Sequence, residues 1–237
     1  MGESGRLVAS GRDSDIFDHG PGLVLRRARD GRSLAAEART MDYVRSCGYP
    51  VPAIESVSDD GTEIVMSRID GPSMVESMSR RPWSLRRHGR VLADLHRRLH
   101  DLPAPPWLAP APMGGGADGR VVHLDLHPLN VMMSGRGPVV IDWANARAGD
   151  GAVDVALAWV LVASGELPFG RVKAAVMGRG RAMFLGGFLS ALPPDVVAAA
   201  RRVLDDVVTW KVRDPHMSDA ECRRMRAVAR AEGHRGA

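Results

Sequence analysis

Lysine is nearly missing from this chain. Lys173 and Lys211 are the only two among 237 residues, and arginine carries the rest of the positive charge. Any site in the first half that needs a fixed cation must therefore use arginine, which keeps the charge but differs in reach and geometry. Cysteine is scarce too. Cys47 and Cys222 lie far apart in sequence, which excludes a disulfide framework and reads as free thiols in a reducing cytoplasm. Aromatic residues make up 5%, so the scattered arginines are not interleaved with the stacking side chains of a nucleic-acid surface. The net charge of +4 and the pI of about 9.7 then reflect an arginine-rich composition, and no nucleic-acid partner is expected. No apolar run follows Met1, and no uninterrupted apolar stretch reaches membrane-spanning length. Neither a secretory leader nor a membrane partner is expected, and the chain is assigned to the cytoplasm.

Hydrophobic residues make up 45% and charged ones 25%. That balance suits an ordinary globular core, in one large or two small domains. The oligomeric state is left open by the sequence.

The most informative stretch is Val121 to Trp143, VVHLDLHPLNVMMSGRGPVVIDW. Val121 and Val122 read as a strand end. A polar loop follows, then Val131-Met132-Met133 and Val139-Val140-Ile141 as a hairpin turned by Ser134 to Pro138. Asp125, Asn130 and Asp142 are expected at one edge of one small sheet. Packing does not ask for three such groups among buried aliphatics. Asp125 to Asn130 has the D-x-x-x-x-N spacing of a kinase catalytic loop, where the Asp receives or orients a hydroxyl proton and the Asn holds Mg²⁺. Asp142, on the next strand end, supplies a second hard oxygen ligand. His123-x-Asp125-x-His127 also has the look of a zinc cluster, but no H-E-x-x-H or cysteine pair accompanies it. His123 is read instead as a structural histidine that bonds loop backbone.

The chain before this stretch opens with a hairpin from Leu7 to Phe17 and a strand at Leu23 to Arg27. A helix is predicted from Ser33 to Ser46, with Ser33 as its N-cap and Leu34, Met41 and Val44 on one face. Strands follow at Ile54 to Val57 and Glu63 to Met66. This predicts a small α+β domain over residues 1–70. Residues 71–237 read as mostly helical, the catalytic and acceptor-binding part. Helices are predicted from Ser84 to His100 and Val153 to Val162, from Val172 to Leu189 with a break at Gly186-Gly187, from Pro194 to Trp210 and from Ser218 to Glu232. A mobile Pro- and Gly-rich loop spans Leu102 to Gly116. That glycine run lacks the Lys-Ser/Thr and the strand-turn-helix setting of a phosphate loop.

A kinase reading needs a cation on the third strand for the α/β-phosphates and a helix acid to orient it. Arg26 and Glu37 fill those places, and Arg27 should face the other side of the strand. Read as surface residues, Arg26 and Glu37 would have no such role. The turn Ser10 to Ser14 would cover the phosphates, although only Gly11 in it is glycine. Trp143 offers a flat wall for an acceptor ring.

HLDLHPLN followed by VVIDW resembles the H-G-D-x-H-x-x-N and I-D-W signatures of the aminoglycoside phosphotransferase family. GYPVP, the apolar run into Met66 and LHRRLH fit the same pattern. The resemblance covers most of Leu7 to Trp159. It implies a bilobal protein-kinase-like α+β fold, ATP or GTP as phosphoryl donor, and Mg²⁺. It further implies Asp125 as catalytic base, Asn130 and Asp142 as metal ligands, and Arg26 and Glu37 as the phosphate pair. Met66, Ser67 and Ile69 would lie on the hinge whose backbone meets the purine, and Asp154 would support the catalytic loop. The implied acceptor is a small hydroxylated molecule: an aminoglycoside-type antibiotic first, with choline, homoserine or a sugar as alternatives. A catalytically idle nucleotide-binding module is the reading from another class. Leu124 and Leu129 depart from the small residues usual around the catalytic Asp, and the part after Asp154 is short.

Overall fold

The computed structural model describes residues 5–11, 13–113, 119–165, 173–214 and 217–233. The chain is organised in two compact units, Met1–Pro72 with Val131–Ala146, and Ser73–Asn130 with Arg147–Ala237. The single division expected at residue 70 is thus replaced by a chain that leaves the first unit, returns to it for sixteen residues, and leaves again.

The first unit is a five-stranded antiparallel sheet and a helix. Its strands are β1 (Leu7–Ser10), β2 (Ser14–Asp18), β3 (Leu23–Ala28), β4 (Ile54–Val57) and β5 (Glu63–Ser67), in the order β1-β2-β3-β5-β4. On β3, Val24, Arg26 and Ala28 are buried while Leu25 and Arg27 are less so, the period-two pattern of a half-buried strand. Helix α1 (Ala35–Ser46) buries Ala38, Met41 and Val44. Ala28, Leu34, Ala38 and Ile64 form a core cluster, flanked by Ile54, Val57 and Met66. Ser33 is not the N-cap. Leu34 occupies that position, with no side-chain acceptor to offer; Ser33 Oγ accepts from Ala35 N at 3.3 Å, and Leu34 N donates to Gly61 O at 2.7 Å.

Strands β7 (Val131–Ser134) and β8 (Gly137–Val140) form a hairpin in this unit. Its turn is tighter than the sequence suggested. Only Gly135 and Arg136 lie outside the ladder, and Ser134 Oγ accepts from Arg136 N while bonding Gly137 O. Val140 N donates to Pro50 O and Met133 N to Pro72 O, which ties the hairpin to the rest of the unit.

The second unit is mostly helical: α2 (Met74–Arg80), α3 (Leu85–His100), α4 (Gly151–Ser164), α5 (Lys173–Leu189), α6 (Pro194–Arg202), α7 (Leu204–Lys211) and α8 (Asp219–Gly233). Helix α2 has a capping box between Ser73 and Glu76, a signature the sequence carries as S-x-x-E. Strand β6 (Arg120–Val122) pairs with β9 (Arg147–Gly149). The expectation of one small sheet is therefore corrected: β6-β9 and β7-β8 are separate two-stranded sheets. Arg-Ala-Gly has no β-branched residue to announce a strand, and it pairs because Val121 and Val122 are buried against it. The loop after α3 is tied by bridges from Pro103 to Arg120 and from Pro110 to Ala148. Its glycines Gly114 to Gly116 lie outside the described residues.

Helix α5 is not broken at Gly186-Gly187. A Cβ at Gly187 would sit 2.3 Å from Arg86 O, and one at Gly89 on α3 would sit 2.2 Å from Phe184 O. The glycines let α3 and α5 approach closely, and that contact offsets their poor helix propensity. The single helix expected from Pro194 to Trp210 is two. Val203 leaves the helical region at φ −97° and ψ 3°, and its N–H turns to Ala200 O. Leu92, Leu95 and Leu99 of α3, Val155, Leu157 and Val160 of α4, Phe188, Leu204 and Val207 fill the core. Among the described residues no single helix is long and apolar enough to cross a membrane.

The close approach of α3 and α5 makes a test. Gly187→Ala should destabilise the protein by about 1–3 kcal/mol, since the methyl would force two backbones apart. Urea unfolding measures it, and wild-type stability in the variant would contradict the packing described.

Candidate active site

In the first unit, the side chain of Arg26 points to the buried face of β3. Its Nε donates to Ser14 Oγ at 3.2 Å, and its Nη1 to Glu37 Oε1 at 2.5 Å. Nη2 stands 3.8 Å from Asp142 Oδ1. Glu37 Oε1 also accepts from Trp143 N at 3.0 Å. One carboxylate oxygen thus fixes both the strand cation and the backbone next to Asp142. The second oxygen, Oε2, is buried and has no hydrogen-bond partner among the described residues. Burial raises the Glu37 pKa, and the Asp142 charge adds to that, against the pull of Arg26. Arg27 does face the other way: it pairs with Glu63 at 2.5 Å and lies over the Phe17 ring.

Asp142 follows β8 with φ 64°, a left-handed backbone that L-residues adopt only under constraint. Its side chain is 47% exposed, which leaves carboxylate oxygens open to a cation. Trp143, by contrast, is 1% exposed. Its indole N–H bonds Val140 O, and its ring meets Tyr49 edge-on. The expected wall for an acceptor ring is corrected: this indole is core, because its neighbours on the hairpin and after α1 need an apolar filler.

The hinge candidates differ in what their backbones already do. Met66 sits between Val24 and Ile54 in the sheet, with its side chain against the apolar cluster. Ser67 bonds Ala53 through both its N–H and its hydroxyl. Ile69 lies beyond the strand. In the turn Ser10 to Ser14, Gly11 N bonds Ser14 O, and residue 12 lies outside the described residues.

In the second unit, β6 ends at Val122 and the loop reverses sharply. Leu124 has φ 57°. Asp154, in the first turn of α4, holds this reversal. Its Oδ1 accepts from Leu124 N at 2.7 Å, and its Oδ2 accepts from His123 N at 3.0 Å and from His100 Nε2 at 3.1 Å. Burial alone would raise the Asp154 pKa, but His100, His96 and His123 together hold it well below the usual carboxylate range. His96, His100 and Asp154 have their ligating atoms within 4.8 Å of one another. His100 is there as a donor to Asp154 and His96 through its bond to Leu126 O, so hydrogen bonds account for the gathering.

Asp125 follows directly. Its Oδ2 accepts from Asn130 Nδ2 at 3.0 Å, and the same amide bonds the Asp125 carbonyl at 2.9 Å. His127 Nε2 stands 3.6 Å from Oδ1, and His127 Nδ1 accepts from Leu129 N at 3.3 Å. That second bond fixes the tautomer with the proton on Nε2, toward Asp125. Burial pushes the Asp125 pKa up, but His127, Lys211 and His123 outweigh it, and the net shift is downward. Asp125 is an ionised, oriented carboxylate. Because Asn130 uses its amide nitrogen on Asp125, its Oδ1 is the atom left for a cation. Carboxylate and amide oxygens form a hard donor set that suits Mg²⁺.

Sequence reasoning assigned no site role to His96 and His100, which it met only within LHRRLH, and it weighed His127 only as a zinc ligand. The first two carried a signal. They lie four residues apart on the same stripe as Leu92, Leu95 and Leu99, where two histidines should face the core. The free thiols are as read, with Cys47 exposed and Cys222 half-buried.

The model describing the phosphotransferase enzyme family matches residues 4–112 and 98–185. Curated protein sequences give no match. Among solved structures, a complex of the aminoglycoside phosphotransferase APH(2'')-IIa with streptomycin and ATP aligns with a TM-score of 0.61. It shares 16% identity, over 97% of this chain and 90% of that one. APH(4)-Ia with AMP-PNP and hygromycin B gives 0.59 at 17%, over 95% and 93%. A choline/ethanolamine kinase family protein from Mesorhizobium loti gives 0.55 at 17%, over 99% and 87%. The fold is theirs.

The histidine beneath the loop makes stability depend on pH. Burial pushes the His96 pKa down to about 4, against about 6.5 in an unfolded chain. The folded state keeps His96 neutral where the unfolded state protonates it. Its contribution is therefore complete above pH 6.5 and is lost as pH falls toward 4. Between pH 7 and pH 5 the wild type should lose about 2 kcal/mol more stability than His96→Gln. Urea midpoints at the two pH values measure this, and parallel losses would refute it.

Proposed function

The chain belongs to the phosphotransferase enzyme family, and we propose that it moves the γ-phosphoryl group of ATP or GTP to a hydroxyl of a small molecule. The observation that supports this most is Asp125. Its carboxylate is oriented by Asn130 and kept ionised chiefly by His127, in a loop braced by Asp154.

Transfer is in line, with no covalent intermediate on the protein. A carboxylate with a lowered pKa is a weak base toward a neutral alcohol. Asp125 therefore orients the hydroxyl first, and takes its proton as the bond to phosphorus forms and the oxygen becomes acidic. Arg26, steadied by Glu37, would neutralise the α/β-phosphates. Ile69, and the Met66–Ser67 strand end before it, would border the purine. Asn130 and Asp142 would hold Mg²⁺, which when bound offsets charge on the phosphate oxygens. An idle nucleotide-binding module would have no use for Asp125, Asn130 and Asp142 together.

For the acceptor, an aminoglycoside-type antibiotic is the leading candidate, in keeping with the streptomycin and hygromycin B complexes of the structural neighbours. A second reading, a kinase of a choline-, homoserine- or sugar-type metabolite, draws on the acids of the second unit. A pocket for a polycation needs open carboxylates. Asp150 caps α4, Asp214 pairs with Lys211, and Glu221 bonds Ser218. Lys211 also places a cation near enough to lower the Asp125 pKa.

Asp125→Asn should lower kcat about 10²-fold or more with little change in nucleotide affinity, measured by coupled steady-state assay and calorimetry. Near-wild-type turnover would remove Asp125 from its role. A phosphorylation panel of aminoglycosides, choline, homoserine and simple sugars separates the acceptors. Turnover of a neutral or anionic metabolite alone would displace the antibiotic and leave the kinase reading standing.

A further inference from the structure

We infer that His100 is a positioning residue of the phosphoryl-transfer loop: through Asp154 it holds Leu124 in a left-handed backbone, and so fixes where Asp125 points. The role in transfer rests on the phosphotransferase reading above, while the clamp itself rests on geometry alone.

The argument starts at Leu124. Its φ of 57° puts a Cβ too close to the following carbonyl, which disfavours that conformer by about tenfold or more for an ordinary L-residue. Its side chain is buried, so the loop cannot relax without exposing it. The next residue is Asp125. If Leu124 returned to an ordinary φ, the carboxylate that follows would swing away. Something must hold the reversal, and two successive N–H groups, those of His123 and Leu124, point at the one carboxylate of Asp154.

Asp154 is itself fully buried. A buried carboxylate keeps its charge and its direction only if donors surround it. Among the described residues, His100 Nε2 is a side-chain donor within hydrogen-bond distance, at 3.1 Å. His96 Nδ1 is at 3.8 Å, and His96 is engaged at its other nitrogen with Leu126 O. The His100 ring has a reserved place. A Cβ at Gly151 would lie 2.6 Å from His100 Nδ1, and the His96 ring stands edge-on at 5.4 Å. A line of contacts thus runs from the last residue of α3, across the start of α4, to the strained peptide before Asp125.

This makes the cost of losing His100 depend on the residue at 124. With leucine the clamp works against strain. With glycine, which accepts positive φ freely, there is little strain to resist. His100→Ala should lower kcat about tenfold with the nucleotide KM unchanged. His100→Gln, whose amide nitrogen reaches the same oxygen, should recover most of that. In a Leu124→Gly background the same alanine change should cost less than about twofold. Hydrogen exchange gives a readout that needs no acceptor. The amides of residues 121–126 should exchange at least tenfold faster in His100→Ala and near the wild-type rate in His100→Gln.

Equal losses in the two backgrounds, or glutamine behaving like alanine, would overturn the inference and leave His100 a general core residue. If the wild type phosphorylates nothing in the panel, the phosphotransferase reading fails and the exchange rates still decide the clamp. If Leu124→Gly does not fold, the alanine-glutamine comparison by exchange decides it alone.

Discussion

A single buried carboxylate organises the second unit. Asp154 accepts from His100 at the end of α3 and from the His123 and Leu124 amides. Left unsatisfied, a buried charge of this kind would cost several kcal/mol or would neutralise itself. Surrounded by N–H groups, it stays ionised and directional. Helices α3 and α4 supply a rigid base, as their buried leucines and valines show. The loop that carries Asp125 is then an extension of helix packing, although it has no regular structure of its own. That answers a general difficulty. Polar loops are mobile by default, yet a phosphoryl acceptor must be held to a fraction of an ångström.

The first unit meets a parallel demand with a different group. An arginine on the buried face of a sheet needs partners for several N–H groups. Ser14 takes one and Glu37 another, with Asp142 close by. Lysine would satisfy fewer partners and could follow a moving phosphate more freely. The near absence of lysine therefore has a structural counterpart. Glu37 and Ser14 turn a flexible cation into a fixed one. Glu37 in turn receives the Trp143 amide, so the same carboxylate that orients Arg26 also orders the residue beside Asp142.

Much of this was legible in the residues. Strand alternation announced that Arg26 and Arg27 face opposite ways, and D-x-x-x-x-N singled out Asp125 and Asn130, although not the hydrogen bond that joins them. What stayed hidden depends on contacts distant in sequence. Arg147–Gly149 becomes a strand only because buried Val121 and Val122 need a partner. Gly186-Gly187 looked like a helix break, and Gly187 is instead a contact point against Arg86. Trp143 looked like a ligand wall, and its burial follows from Tyr49 and Val140, residues whose proximity no local pattern states. His96 and His100 of α3 were visible as a spacing. Their meaning depended on Asp154, more than fifty residues away.

The acceptor is where local chemistry and family likeness pull apart. Fold similarity at 14–17% identity speaks to backbone, and acceptor preference is set by side chains that diverge first. In this chain the carboxylates of the later helices are largely committed. One caps a helix, one pairs with Lys211 and one closes a turn at Ser218. Among the described residues of these helices, Asp195, Asp205, Asp206 and Asp219 are exposed acids with charge to offer. A polycation bound chiefly through exposed side chains would be held weakly and in a salt-sensitive way. Recognition of a polycation would draw on several such acids together, and a smaller acceptor with fewer amines would draw on fewer of them.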